Sequence, residues 1–112
     1  MIRKIDDIYL SIALIMKENL VEPWDKAVIR AEVHNGVVRL KGGSESSGEY
    51  TSFKLRNFNR QIISDFEELH EVTTEGKEGR WNRALLSLRP DGTFSVDFVW
   101  DQELADEVAG EA

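Results

Sequence analysis

The residues that could do chemistry are few: the chain has two histidines and no cysteine. His70 follows Glu67 with the Glu-x-x-His spacing that carboxylate-bridged metal sites use in helix bundles. Such a site needs a second pair of this kind and two further glutamates on facing helices, which the sequence does not show. His70 is better explained as part of a solvated helix face, and the sequence therefore predicts no metal and no cofactor.

The other candidate catalytic patterns are incomplete. The serine-rich segment from Gly42 to Gly48 lacks the Gly-Lys-Ser/Thr ending that directs a lysine to bound phosphates. No serine stands in the Gly-x-Ser-x-Gly context of a nucleophile elbow. Carboxylates are numerous, but nothing in their spacing selects an acid–base pair. We therefore predict a protein that binds and is not an enzyme, with no catalytic residues.

The most informative pattern is an acidic helix face. On a helical wheel of residues 58–75, apolar side chains share one face and a row of glutamates lies broadly opposite. Like-charged pairs at i,i+4, such as Glu67 with Glu71, each cost about 0.2–0.5 kcal/mol. Asp101 and Glu103 could extend this patch, or simply favour the positive end of the last helix. The hypothesis is that a basic partner contacts Glu67, Glu68, Glu71, Glu75, Asp101 and Glu103; a purely solvated acidic face is the alternative.

The first half of the chain supplies one helix and the first strands. Apolar residues recur every three or four positions between Arg3 and Leu20, which predicts an amphipathic helix ending at Glu22-Pro23. Residues 24–34 alternate with period two, and Asn35-Gly36 favours a two-residue hairpin, so residues 37–41 should pair back antiparallel. We expect residues 42–48 to form a mobile connector and residues 49–54 to form a short third strand.

The second half supplies the remaining elements. The period is helical from about Phe58 to Thr74, a loop is predicted at residues 76–79, and residues 81–89 and 93–100 form two strands joined by a turn. Asp101 is a suitable N-cap for a final helix. The order α-β-β-(β)-α-β-β-α predicts an α+β fold, in which helices pack on an antiparallel sheet of four to five strands. A chain of 112 residues suits a single domain over residues 1–112.

Charge narrows the class of partner. The formal net charge is −7, with +2 on residues 1–60 and −9 on residues 61–112. So acidic a chain is a poor ligand for nucleic-acid phosphates and attracts basic partners instead. No apolar run approaches the roughly 18 residues of a membrane span, and the N-terminus does not read as a signal peptide. We therefore expect a cytoplasmic protein with no direct nucleic-acid or membrane partner.

The end of the chain resembles a known family. Trp81-Asn82-Arg83-Ala84-Leu85-Leu86-Ser87-Leu88, then Asp91-Gly92-Thr93-Phe94-Ser95-Val96-Asp97-Phe98 and Trp100-Asp101, is similar to the closing block of YezG-type immunity proteins. The chain departs from that pattern at Trp100, where a tyrosine is more usual, and across residues 42–55. The resemblance implies an antitoxin that binds and neutralises a cognate toxin domain, often a nuclease with a basic cleft.

Three hypotheses follow. The first is an immunity protein that captures a basic toxin through its acidic surface. The second is a general interaction or adaptor domain whose partner is unrelated to toxins. The third is a small enzyme or ligand-binding domain with a pocket between sheet and helices. A toxin gene directly upstream favours the first, and thermal stabilisation by a small molecule or divalent metal favours the third.

Overall fold

The hydrophobic periods produce two helices that cover one side of an antiparallel sheet. A computed structural model describes residues 3–34, 36–74 and 80–111, without the side chains of residues 108, 109 and 111, and within these ranges contains three α-helices and five strands. They are α1 (Ile5–Glu18), β1 (Lys26–His34), β2 (Val37–Ser46), β3 (Glu49–Ser52), α2 (Gln61–Thr74), β4 (Arg83–Leu88), β5 (Phe94–Val99) and α3 (Gln102–Glu111). The strands form one antiparallel sheet in the order β3-β2-β1-β4-β5. The predicted α+β fold is confirmed.

The core lies between the sheet and the pair α1 and α2. Alternate side chains of β1 are buried on this side because successive residues of a strand point to opposite faces. The same alternation buries Ala84, Leu86 and Leu88 of β4. Ile8 and Ile12 of α1 and Phe66 and Leu69 of α2 are fully buried against them. Burying one such side chain contributes about 1.5–3 kcal/mol, so this face fixes which side of the sheet the two helices cover.

The expected connector at residues 42–48 is wrong over most of its length, because β2 continues to Ser46 and pairs with β3. Its two glycines serve close packing rather than mobility. A Cβ on Gly42 would collide with the carbonyl oxygen of Val28, and one on Gly43 with that of Thr51. Only Ser47 and Gly48, with φ of 51° and 83°, make the turn. The short third strand is present as β3.

The remaining boundaries differ by a few residues. A 3-10 turn at Leu55–Asn57 precedes α2, which begins at Gln61 instead of near Phe58. The Asn59 side chain accepts a hydrogen bond from the Gln61 backbone N–H at 2.9 Å, and so satisfies one of the donors at the start of the helix. The loop predicted at residues 76–79 lies outside the described residues. None of the helices within the described ranges is long and apolar enough to cross a membrane.

Candidate functional site

The two covering helices are joined by a buried carboxylate. Asp65 of α2 is fully buried and accepts three hydrogen bonds: from the Arg3 guanidinium at 2.6 Å, the Ser11 hydroxyl at 2.7 Å and the Gln61 side-chain amide at 3.1 Å. A buried charge is tolerated only when paired and hydrogen-bonded, and both conditions hold here. Asp65 therefore fixes how α1 packs against α2.

Glu68, one of the six predicted partner-binding residues, belongs to the same junction. Its carboxylate accepts hydrogen bonds from the Arg3 backbone N–H at 2.7 Å and from two nitrogens of the Arg3 guanidinium at 2.8 and 3.0 Å. The hydrogen bonds from Arg3 hold the pKa of Glu68 below its ordinary value. The fold already uses this side chain, so Glu68 is engaged by Arg3 before any partner arrives.

Asp101 also has a role inside the fold. Its carboxylate accepts a hydrogen bond from the Leu104 backbone N–H at 3.1 Å, as an N-cap of α3 does, and another from the Arg83 guanidinium at 2.7 Å. These two contacts, the backbone one first, lower the pKa of Asp101. Glu103 is exposed in the first turn of α3. Across the described ranges, no hydrogen bond or ion pair connects these two residues with the glutamates of α2.

Glu67 and Glu71 remain available for a partner. Both are exposed, and neither makes an ion pair with another described residue. Glu71 lies in the last turn of α2, where the helix dipole is negative and disfavours a carboxylate. Folding of the helix therefore does not account for these two charges. Glu75, the sixth predicted residue, lies outside the described residues.

Two leucines on α1, which do not belong to its periodic apolar face, are exposed on the side of that helix away from the core. Leu10 and Leu14 are 57% and 51% exposed, and their i,i+4 spacing makes them neighbours. Exposed Asp6 and Asp7 precede them by one turn. The sequence did contain a signal for this exposed position, because two leucines fall on the polar side of an otherwise amphipathic helix. We call the set Asp6, Asp7, Leu10, Leu14, Glu67 and Glu71 the acidic helix surface.

The explanation of His70 as part of a solvated helix face is wrong, because its side chain is partly buried and packs inside the fold. Its Nε2 lies 2.9 Å from the carbonyl oxygen of Trp81, and its ring packs edge-on against the Trp81 indole at 4.7 Å between centroids. Trp81 in turn donates its indole N–H to the Thr73 hydroxyl at 2.7 Å. In the part of the chain that the structure describes, no group of three or more histidine, aspartate or glutamate side chains is placed to hold a metal ion. These contacts attach the end of α2 to β4.

The fold defines the class: an α+β protein with two helices covering one face of a five-stranded antiparallel sheet. The sequence matches no family model, and comparison with curated proteins gives no match. The resemblance to the YezG-type immunity proteins therefore stays a prediction from the closing block of the sequence.

Proposed function

We propose that the chain is an immunity-type binding protein, which captures a basic protein toxin domain through the acidic helix surface and performs no catalysis. The observation that carries this proposal is the combination of two half-exposed leucines with exposed carboxylates that make no ion pair with another described residue. Protein interfaces combine a desolvated apolar centre with a polar rim, and a few residues at the centre supply most of the binding energy.

Charge supports a basic partner. The acidic helix surface carries four carboxylates: Asp6 and Asp7 precede Leu10 by one turn on α1, and Glu67 and Glu71 are exposed on α2. A basic cleft built for nucleic-acid phosphates has the complementary charge, and complementary fields raise association rates to about 10⁸–10⁹ M⁻¹s⁻¹ at low salt. Rapid capture is what a cell needs when its own toxin is a nuclease. The proposal places the protein in the cytoplasm, where the substrate of such a toxin lies.

The test uses the C-terminal domain of the protein that the neighbouring gene encodes, which the proposal expects to be basic. Co-expressed with the chain, that domain should form a complex and lose its toxicity. The variant Leu10→Ala/Glu67→Lys/Glu71→Lys should raise the Kd of the complex by at least about 100-fold, because it removes one apolar anchor and reverses two charges. The measurement is surface plasmon resonance on purified proteins, together with growth of cells that express both.

The matched control is Glu49→Lys/Asp97→Lys, which reverses two exposed carboxylates on β3 and β5. It should leave the Kd unchanged within about twofold, because it lies outside the proposed contact. Equal weakening by both variants would assign the effect to net charge and reject the helix surface as the site. A neighbouring product that neither binds nor is neutralised would reject the antitoxin function. Binding without neutralisation would favour the adaptor domain.

A further inference from the structure

The face of the sheet that α1 and α2 do not cover carries a basic groove that the acidic composition of the chain conceals. Its first depression, of about 570 Å³, is lined by Lys26, Arg30 and Lys41, with Val28, Leu85 and Tyr50 as apolar and aromatic neighbours. A second depression of about 670 Å³ shares Arg30 and Lys41 and adds Arg39 and Arg83. We call the two together the basic sheet groove. It lies on the opposite side of the sheet from α1 and α2.

At the centre of this groove, two like charges lie opposite each other, which is unfavourable for folding. In the register of β1 with β2, Arg30 stands directly opposite Lys41. Like charges directly opposite on neighbouring strands destabilise a sheet. Arg83 is paired with Glu32 and Asp101 at 2.7 Å each, but among the described residues neither Arg30 nor Lys41 makes an ion pair. Two cations are thus held together, with no ion pair to another described residue, in a chain whose net charge is −7.

The packing of α3 indicates which kind of segment this face of the sheet binds. α3 folds back beside the second depression, where its Leu104 is only 7% exposed and its Glu107 lies among the lining residues with Arg30 and Lys41. α3 is an acidic helix with a leucine anchor. The first depression shares Arg30 and Lys41 and has an apolar floor at Val28 and Leu85, and no described segment of the chain fills it.

We propose that the basic sheet groove binds an acidic, leucine-bearing helical segment of a second protein, which lies beside α3 and pairs with Arg30 and Lys41. An acidic, leucine-bearing peptide fits better than a nucleic acid, because its leucines can cover the apolar floor at Val28 and Leu85. Carboxylates also bound the groove: Glu45 lines the first depression, and Glu32 and Glu107 line the second. A polyphosphate long enough to follow both depressions meets these charges, whereas a short peptide aligns its own carboxylates with the central cations. The inference does not depend on the antitoxin function.

The experiment titrates the full chain into a fluorescein-labelled synthetic peptide and follows anisotropy. The peptide has about 14 residues, long enough for a helix, with two leucines at i,i+4 flanked by glutamates. We expect a Kd on the order of 10 µM at low salt. Arg30→Glu/Lys41→Glu should raise it at least about tenfold, and Arg30→Gln/Lys41→Gln by less, because reversal adds repulsion to the lost attraction. The tryptophan emission of each variant verifies its fold.

The control Lys17→Glu/Arg60→Glu makes the same change in net charge with exposed cations of the helix layer. It should change the Kd by no more than about twofold. A peptide with glutamine in place of every glutamate should bind at least about tenfold more weakly. Equal binding of the two peptides, or equal loss in the control variant, would overturn the proposal. So would tighter binding of a single-stranded oligothymidine that depends on Arg30 and Lys41, since it would assign the groove to nucleic acid.

Discussion

The Asp65 junction allows a quantitative test of how α1 and α2 are held together. Asp65→Ala removes three hydrogen bonds to a fully buried carboxylate, with donors on Arg3, Ser11 and Gln61. A hydrogen bond to a charged group contributes about 1.5–3 kcal/mol, and breaking a fully buried ion pair costs about 3–5 kcal/mol. Arg3 is 31% exposed and keeps Glu68 as a partner, so its charge is not left uncompensated. We therefore expect the low end, a loss of about 3 kcal/mol in the free energy of unfolding.

Two further variants separate burial from charge. Asp65→Asn keeps the volume and one acceptor oxygen but loses the ionic contact, and should cost about 1.5 kcal/mol. Glu68→Ala removes a partly exposed partner of Arg3 and should cost at most about 1 kcal/mol, because solvent screens such pairs. The double variant Asp65→Ala/Ser11→Ala should lose less free energy of unfolding than the two single variants together, since both remove the same hydrogen bond.

The assay is urea unfolding at neutral pH, followed by the emission of buried Trp24 and Trp81. In thermal unfolding, about 3 kcal/mol corresponds to a drop of roughly 12 °C in Tm for a domain of this size. The reasoning is refuted if Asp65→Ala costs less than about 0.5 kcal/mol, which is typical of a surface substitution. It is refuted as well if Glu68→Ala lowers the free energy of unfolding more than Asp65→Ala does. The partly exposed Arg3–Glu68 pair would then be the main contact between the helices.

Two other predictions concern the sheet and the last helix. Gly43→Ala should lower the free energy of unfolding by about 2 kcal/mol or more in urea unfolding, because the added Cβ would collide with the Thr51 carbonyl oxygen. The control Gly110→Ala places its Cβ where no atom lies within 4 Å, and should be neutral or stabilising. Asp101→Asn should remove part of the pH dependence of stability: the pKa of Asp101 is lowered by folding, so its contribution is complete above about pH 4 and is lost as the pH falls through the lowered value. Unfolding midpoints measured from neutral pH to pH 3 should converge for the original chain and Asp101→Asn, and parallel curves would contradict the assignment.

Local patterns were sufficient for most of the fold. The period of α1, the alternation of β1 and the hairpin into β2 were all predicted from residues close in sequence, and the structure confirms the α+β architecture that they imply. The prediction of a connector at residues 42–48 was wrong for a physical reason. Glycine and serine are frequent in loops, but Gly42 and Gly43 are needed where strands approach too closely for any Cβ. Composition alone does not distinguish these two uses of glycine.

The candidate site was harder to predict because it depends on contacts between distant residues. The wheel placed Glu68 with Glu67 and Glu71 on one acidic face, but Glu68 is bound by Arg3, which is 65 positions away in the sequence. Nothing in the periodicity of α2 identifies that partner. Asp65 did give a local signal, because it is a charged residue between Ile62 and Leu69 on the apolar stripe. A carboxylate at such a position requires a cation or several donors from a neighbouring element.

The charge of the two faces follows from strand alternation and changes what the net charge means. The residues of β1 that point away from the core include Lys26 and Arg30, while the helices that cover the other side carry most of their charge as carboxylates. A net charge of −7 therefore conceals a cluster of cations on the other side of the sheet, where they lie beside the carboxylates of α3. Because the sheet separates the two surfaces, a basic partner on the acidic helix surface leaves Arg30 and Lys41 accessible. Exposed charges more than about 10 Å apart are largely screened at 0.1 M salt, so reversing one surface should leave binding at the other intact. The two proposed contacts can accordingly be occupied together, and each can fail without the other.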